Sequence, residues 1–172
     1  LRALRDVLRN PHARLMLGVL LIEHVGLAGL MVLAPYYVEY VLGDESLLPP
    51  LAGCYMVTSL LIVPAALAAS RRAGKKQTWI LAMLLTGTAY GLMFFPGPGD
   101  ALQVYALAAL IGVGNGTGLI IGASIQADIV DYDEYVTGER KEGMYFAAWN
   151  IARKGASGLT GFLAGLALQA VG

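Results

Sequence analysis

Two adjacent cations, Arg153 and Lys154, stand inside an apolar stretch near the C-terminal end of the 172-residue chain. Lys154 falls about ten residues, and so about 15 Å, into that stretch, the depth of a bilayer midplane. An ammonium at that depth is costly unless it faces a cavity or a carboxylate, which makes Lys154 a candidate functional cation. Asn150, Lys154, Ser157 or Gly158, Gly161 and Gly165 recur at i+3/i+4 spacing and form one small, polar helix face. Such a face lines a cavity or packs against another helix. The alternative for Arg153 and Lys154 is that their long stems carry the charges back to the nearer headgroups. Trp149 and Tyr145 offer flat rings near the same helix entrance, suited to stacking on a sugar or to anchoring at the membrane interface. Glu23, about nine residues into the first apolar stretch, is the natural counter-charge. His24 stands beside it, and the pair is expected to serve either proton or cation coupling or local hydrogen bonding.

A second constellation is the acidic segment 128–142, which contains Asp128, Asp131, Asp133, Glu134, Glu139 and Glu142. Read as a calcium loop from Asp131 it places Glu142 twelfth, but Val136 occupies the sixth position, where the sharp turn needs Gly, so that reading is rejected. Only two histidines are present, His12 and His24, neither beside a plausible nucleophile, and no triad, zinc motif or other catalytic or metal site is expected. The glycines at 112, 114, 116 and 118 fit no G-x-G-x-x-G register and follow no strand; they are expected to bring helices close together. Gly161 with Gly165 gives another small-xxx-small pair. Cys54, the single cysteine, reads as a small packing residue.

The elements that position these residues follow from composition. Apolar residues make up 57% of the chain and charged ones only 14%, too few polar groups to cover a water-soluble core. Net charge is zero, so no basic surface for nucleic acid is expected. Five apolar segments, about 15–42, 47–70, 79–95, 102–125 and 144–171, read as transmembrane helices of an all-α polytopic bundle. Pro35 and Pro64 are expected to kink their helices rather than end them. Arg2, Arg5, Arg9 and Arg14 precede the first segment; Arg71, Arg72, Lys75 and Lys76 fall in a loop at about 71–77; Arg140 and Lys141 fall in one at about 128–143. Residues 43–46 and 96–100 carry no Lys or Arg. By the positive-inside rule the N-terminal lead and the two basic loops are cytoplasmic, in a multi-pass protein of the plasma, or inner, membrane.

Three stretches carry a family resemblance. Residues 127–135 (Ala-Asp-Ile-Val-Asp-Tyr-Asp-Glu-Tyr), then 137–143 (Thr-Gly-Glu-Arg-Lys-Glu-Gly), then Ala152-Arg153-Lys154-Gly155 closely resemble the cytoplasmic loop and following helix of the glycoside-pentoside-hexuronide:cation symporters. That is the melibiose-permease-like branch of the major facilitator superfamily. Arg72-Ala73-Gly74-Lys75-Lys76 looks like the superfamily's R-x-G-[RK]-[RK] loop, with Arg71 where an Asp is usual. The resemblance covers essentially the whole chain, as helices seven to eleven of twelve in a partial C-terminal half.

What the resemblance implies is cation-coupled (Na⁺ or H⁺) symport of a sugar or glycoside by alternating access, with no enzyme activity and no cofactor beyond the coupling cation. Lys154 matches the family's lysine in the shared cavity. Trp149 and Asn150 stand where the branch places amide and hydroxyl residues, which opens the alternative of a lysolipid or other amphiphile as substrate. A non-transporting membrane scaffold or receptor is the rival from another class. The expected partners are the lipid bilayer, a small-molecule substrate, and the N-terminal half and last helix of the same transporter. The cavity is expected to involve Lys154, Asn150, Trp149, Arg153 and Glu23. A cytoplasmic gate is expected to pair Arg72, Gly74, Lys75 and Lys76 with Asp128, Asp131 and Glu134.

Overall fold

The computed structural model describes residues 7–171, so Arg2 and Arg5 of the basic lead lie outside the described residues. The described residues form helices and turns, with no strand among them. The first helix, α1, runs Pro11–Tyr36 and continues as a π-helical segment, Tyr37–Leu42. Its start is built from Asn10 and Pro11. The Asn10 side-chain carbonyl accepts hydrogen bonds from the backbone N–H groups of His12 (3.0 Å) and Ala13 (3.4 Å), and Pro11 has no N–H to satisfy. Pro35 withholds the N–H that the carbonyl four residues earlier would accept, and the wider π turns begin two residues later.

After a short turn capped by Asp44, α2 (Leu48–Leu61) and α3 (Val63–Ala73) follow, bent from one another by 43°. Pro64, in the first turn of α3, explains the bend, because it cannot donate across the break. Then come α4 (Lys75–Leu92), α5 (Ala101–Thr137) and α6 (Glu142–Val171).

Two of the expected loops are mostly helix. The basic connection at 71–77 reduces to Gly74, whose φ of 88° lets one residue redirect the chain between α3 and α4. The acidic connection at 128–143 is helical as far as Thr137. Nothing between Ala123 and Thr137 is Gly or Pro, so α5 propagates until Gly138, at φ 69°, ends it with its N–H on the Glu134 carbonyl.

By length and composition, Pro11–Leu42 and Ala101–Thr137 are each able to cross a membrane, and the bent α2–α3 pair makes a third if it is one span. The remaining apolar segments lie on α4 and α6, which carry Lys75, Lys76 and Gln77, and Arg153 and Lys154, within their lengths. The expected count of five spans therefore exceeds what length and apolarity alone establish.

The chain divides into two units: one joins the segment up to Ala34 with the segment from Gln126 onward, and the other is Pro35–Ile125. In the second unit the close contacts run through glycines of α5. A Cβ on Gly112 would strike Thr58 and the Tyr55 carbonyl of α2. One on Gly116 would strike Ser59, and one on Gly114 would meet Thr86 and, at 2.9 Å, the Ala82 carbonyl of α4. Gly122 lies against the Trp79 ring. Reading these pairs along the sequence, α2 and α5 run parallel and α4 and α5 antiparallel, as alternating spans require. Val38, Leu42, Leu51, Val104 and Ala108 form a buried cluster nearby, and the Cys54 thiol sits 3.7 Å from the Tyr105 carbonyl beside it.

Because lipid supplies no hydrophobic drive between helices, this backbone proximity supplies the packing. Gly116→Ala is expected to destabilise the detergent-solubilised protein by about 1–3 kcal/mol through overpacking. Gly87→Ala, with nothing within 4 Å, should leave the thermal midpoint nearly unchanged.

Candidate functional site

Helix α6 has two distinct faces within its unit. Tyr145, Ala148, Trp149, Ala156 and Thr160 are buried on one, at the spacing of a single helical stripe. Asn150, Lys154, Ser157, Gly158, Gly161 and Gly165 are all exposed on the other, and a Cβ at any of its glycines would meet nothing within 4 Å. The small, polar face expected from spacing is thus present and uncovered by the rest of the unit.

Trp149 does not share it. Its indole is 1% exposed and packs on Tyr145 (centroids 5.7 Å apart) and edge-on to Phe146 (5.4 Å), so the expectation that it lines a cavity with Asn150 is corrected. One residue's step turns a side chain about 100° around a helix, enough to move it from the open face to the packed one. Tyr145 is equally buried, which removes it from sugar stacking too.

Arg153 and Lys154 also part company. Arg153 is half-buried and reaches sideways, donating from a terminal guanidinium nitrogen to the Gln126 side-chain carbonyl of α5 at 3.3 Å. Lys154 is exposed. On α1, Glu23 and His24 are half-buried; His24 Nδ1 lies 2.9 Å from the Leu20 carbonyl, which assigns that nitrogen as the donor and makes this contact local to α1.

Helices α1 and α6 lie side by side and parallel. Asn10 donates to the Tyr145 hydroxyl at 3.0 Å, and fifteen residues farther along both helices the Thr160 hydroxyl approaches the Val25 carbonyl at 3.5 Å. Both pairs are separated by 135 positions in sequence. In that register Glu23 is level with Gly158 and Lys154 stands one turn nearer the α1 start, on the face of α6 opposite the one that touches α1.

The gate residues lie on different units and are described separately. On the last turns of α5, Asp128, Asp131 and Glu134 are exposed, while Gln126, Ile129 and Val130 face inward. At the joint of α3 and α4, Arg72, Gly74 and Lys76 are exposed and Lys75 is half-buried. Arg71 and Arg72 suit the C-terminal dipole of α3, but Lys75 and Lys76 open α4, where the macrodipole disfavours cations. Helix stability therefore does not account for those two lysines.

Spacing did not single out Asn10, Gln126 or the inward role of Asp133. Asp133 interacts with the Tyr145 hydroxyl and lies 3.9 Å from Lys141, which also pairs with Glu139 at 3.0 Å. The Asn-Pro pair at 10–11 is the one local signal that could have marked a helix cap.

The described residues thus form a helical bundle with helices able to cross a membrane and an exposed lysine on a small, polar face of α6. The MFS/sugar transport protein family matches residues 1–172, and the chain belongs to that family, a family of multi-pass membrane transporters rather than enzymes. The putative sulfoquinovose importer of Salmonella typhimurium is 32% identical over 141 residues, covering 80% of this chain and 29% of that protein. The glucuronide carrier protein homolog of Escherichia coli is 36% identical over 124 residues, covering 69% of this chain and 26% of that protein. The isoprimeverose transporter of Lactiplantibacillus pentosus is 33% identical over 140 residues, covering 80% and 29%. The chain therefore spans less than a third of the length of these relatives. No solved structure matches it.

The bond between Asn10 and Tyr145 can be tested by a double-mutant cycle with Asn10→Ala and Tyr145→Phe. A coupling energy of about 0.5–1.5 kcal/mol is expected from thermal or denaturant unfolding in detergent.

Proposed function

We propose that this chain is the helix-seven-to-eleven portion of a secondary active transporter that couples a Na⁺ or H⁺ gradient to symport of a sugar or glycoside. The observation that carries the reading is Lys154, exposed on the small, polar face of α6. A lysine on a membrane helix costs about 2.5–3.5 kcal/mol at the bilayer centre on insertion scales, so it is retained where water, solute or a carboxylate meets it. The names of the relatives, a sulfoquinovose importer, a glucuronide carrier homolog and an isoprimeverose transporter, favour a sugar-like solute over an amphiphile.

In this mechanism the two halves of the complete transporter rock about a midplane site. The open face of α6 forms one wall of the cavity, and Asn150 donates or accepts hydrogen bonds with the solute. Lys154 alternates between a carboxylate of the other half and Glu23, so that cation binding and solute binding share one charge balance. On the cytoplasmic side, Arg72, Lys75 and Lys76 pair with Asp128, Asp131 or Glu134 when that side is closed and release them when it opens. The protein sits in the plasma membrane with its basic N-terminal lead in the cytoplasm, a placement supported by the alternation of basic and uncharged connections.

Reconstituted complete protein should accumulate a labelled glycoside when a Na⁺ or H⁺ gradient is imposed, and Lys154→Ala should abolish that accumulation. Gradient-driven uptake at the normal rate in the Lys154→Ala protein refutes the mechanism. In the same vesicles, Asn150→Cys and Lys154→Cys should react with a water-soluble thiol reagent, and Ala156→Cys, at 0% exposure, should not.

A further inference from the structure

Four buried side-chain nitrogens have no hydrogen-bond partner among the described residues, and three of them belong to the contact of α6 with the C-terminal third of α5: Gln126 Nε2, Trp149 Nε1 and Arg153 Nε. The fourth, Trp79 Nε1, is on α4 in the other unit. Gln126 is 3% exposed and Trp149 1%, so bulk water does not meet either group. Trp149 and Arg153 stand one turn apart on the same side of α6, and Arg153 reaches the Gln126 carbonyl through Nη2 at 3.3 Å. A buried N–H without an acceptor is destabilising and uncommon in native chains, so three on neighbouring side chains call for a common explanation.

The chemistry of these atoms narrows what meets them. All three are donors, and the one acceptor among the side chains, the Gln126 carbonyl, is already used by Arg153. Arg153 also places a full positive charge on the packed stripe of α6, between Trp149 and Ala156, and no carboxylate pairs with it among the described residues. A guanidinium drawn out of water needs a counter-charge. Water answers this poorly, because it brings donors of its own and neutralises nothing. A monovalent anion accepts from several N–H groups at once, donates none, and balances the charge.

We propose that Gln126, Trp149 and Arg153 form a binding site for a monovalent anion, held by N–H donors alone. The entrance is at Arg153, which is only half-buried, and whose contact with Gln126 is longer than an ordinary N–H···O bond and yields to a better acceptor. Lys154, one residue on, is exposed and lies outside this group. The same chemistry is offered by a halide ion from solution and by the carboxylate of an acidic solute, and the experiment separates the two sources. The inference does not rest on the transport reading, because it is read from binding and needs no uptake.

The test is the thermal midpoint of the complete protein in detergent, with sodium sulfate exchanged for sodium chloride at constant ionic strength. Chloride at about 100 mM is expected to lift the midpoint by about 2 °C or more. A lift with chloride assigns the site to a free halide. A lift with sodium glucuronate and none with chloride assigns it to the carboxylate of a solute. Neutral glucose is expected to give a smaller lift than glucuronate or none. Arg153→Met is expected to lose the anion-dependent lift.

Should Arg153→Met not fold, Gln126→Glu decides. It keeps the shape of the side chain and sets a carboxylate beside Arg153, so it is expected to hold the midpoint near the value of the anion-bound wild type, with no further lift from either anion. No lift of the unaltered protein with chloride or glucuronate overturns the proposal; a carboxylate from elsewhere in the complete protein meeting Arg153 would produce that result. A lift as large with glucose as with either anion overturns it too, as does a chloride-dependent lift that persists in Gln126→Glu.

Discussion

A charged side chain on a membrane helix has to be met by something other than hydrocarbon, and Lys154 sets that constraint on α6. The face that carries the lysine is kept small and polar, with Asn150 before it and Ser157, Gly158, Gly161 and Gly165 after it. The face behind it is filled by Tyr145, Trp149, Ala156 and Thr160, which hold α6 against α1 and the end of α5. Arg153, the neighbouring cation, is drawn to Gln126 and away from the open side. One helix thus separates two positive charges into a structural one and an available one by a single residue's rotation.

The second unit depends on proximity instead of charge. With α5 approached by α2 at Gly112 and Gly116 and by α4 at Gly114, three helices are brought to backbone contact. Thr58 and Thr86 donate back to their own helices, while Asn115 of α5 donates to the Tyr90 hydroxyl of α4 at 3.5 Å and also hydrogen-bonds Tyr55 of α2. Close van der Waals contact over glycine is what remains to hold helices together when the solvent is as apolar as the side chains.

How much of this could be read from the sequence differs by feature. Long apolar runs marked where helices lie, and i+3/i+4 spacing marked the open face of α6, because both depend only on local periodicity. Trp149 is grouped with Asn150 as a cavity residue by adjacency in sequence, whereas its phase on the helix buries it against Tyr145 and Phe146. The acidic stretch looked like a loop from its charge, yet the uninterrupted run from Ala123 to Thr137 offered no residue to stop α5 before Gly138. Only once that helix is continuous does Asp133 turn inward while Asp131 stays outside. The tie between Asn10 and Tyr145 spans 135 positions, and no local signal encodes a partner at that distance.

The unbroken length of α5 has a mechanical consequence. Twelve residues continue past residue 125 as helix, about 18 Å that bury Gln126, Ile129 and Val130 on one side and carry the exposed Asp128, Asp131 and Glu134 on the other. Helix continued as far as Thr137 therefore fixes the exposed carboxylates relative to α6, because Asp133 on the same turns is held to Tyr145 and Lys141.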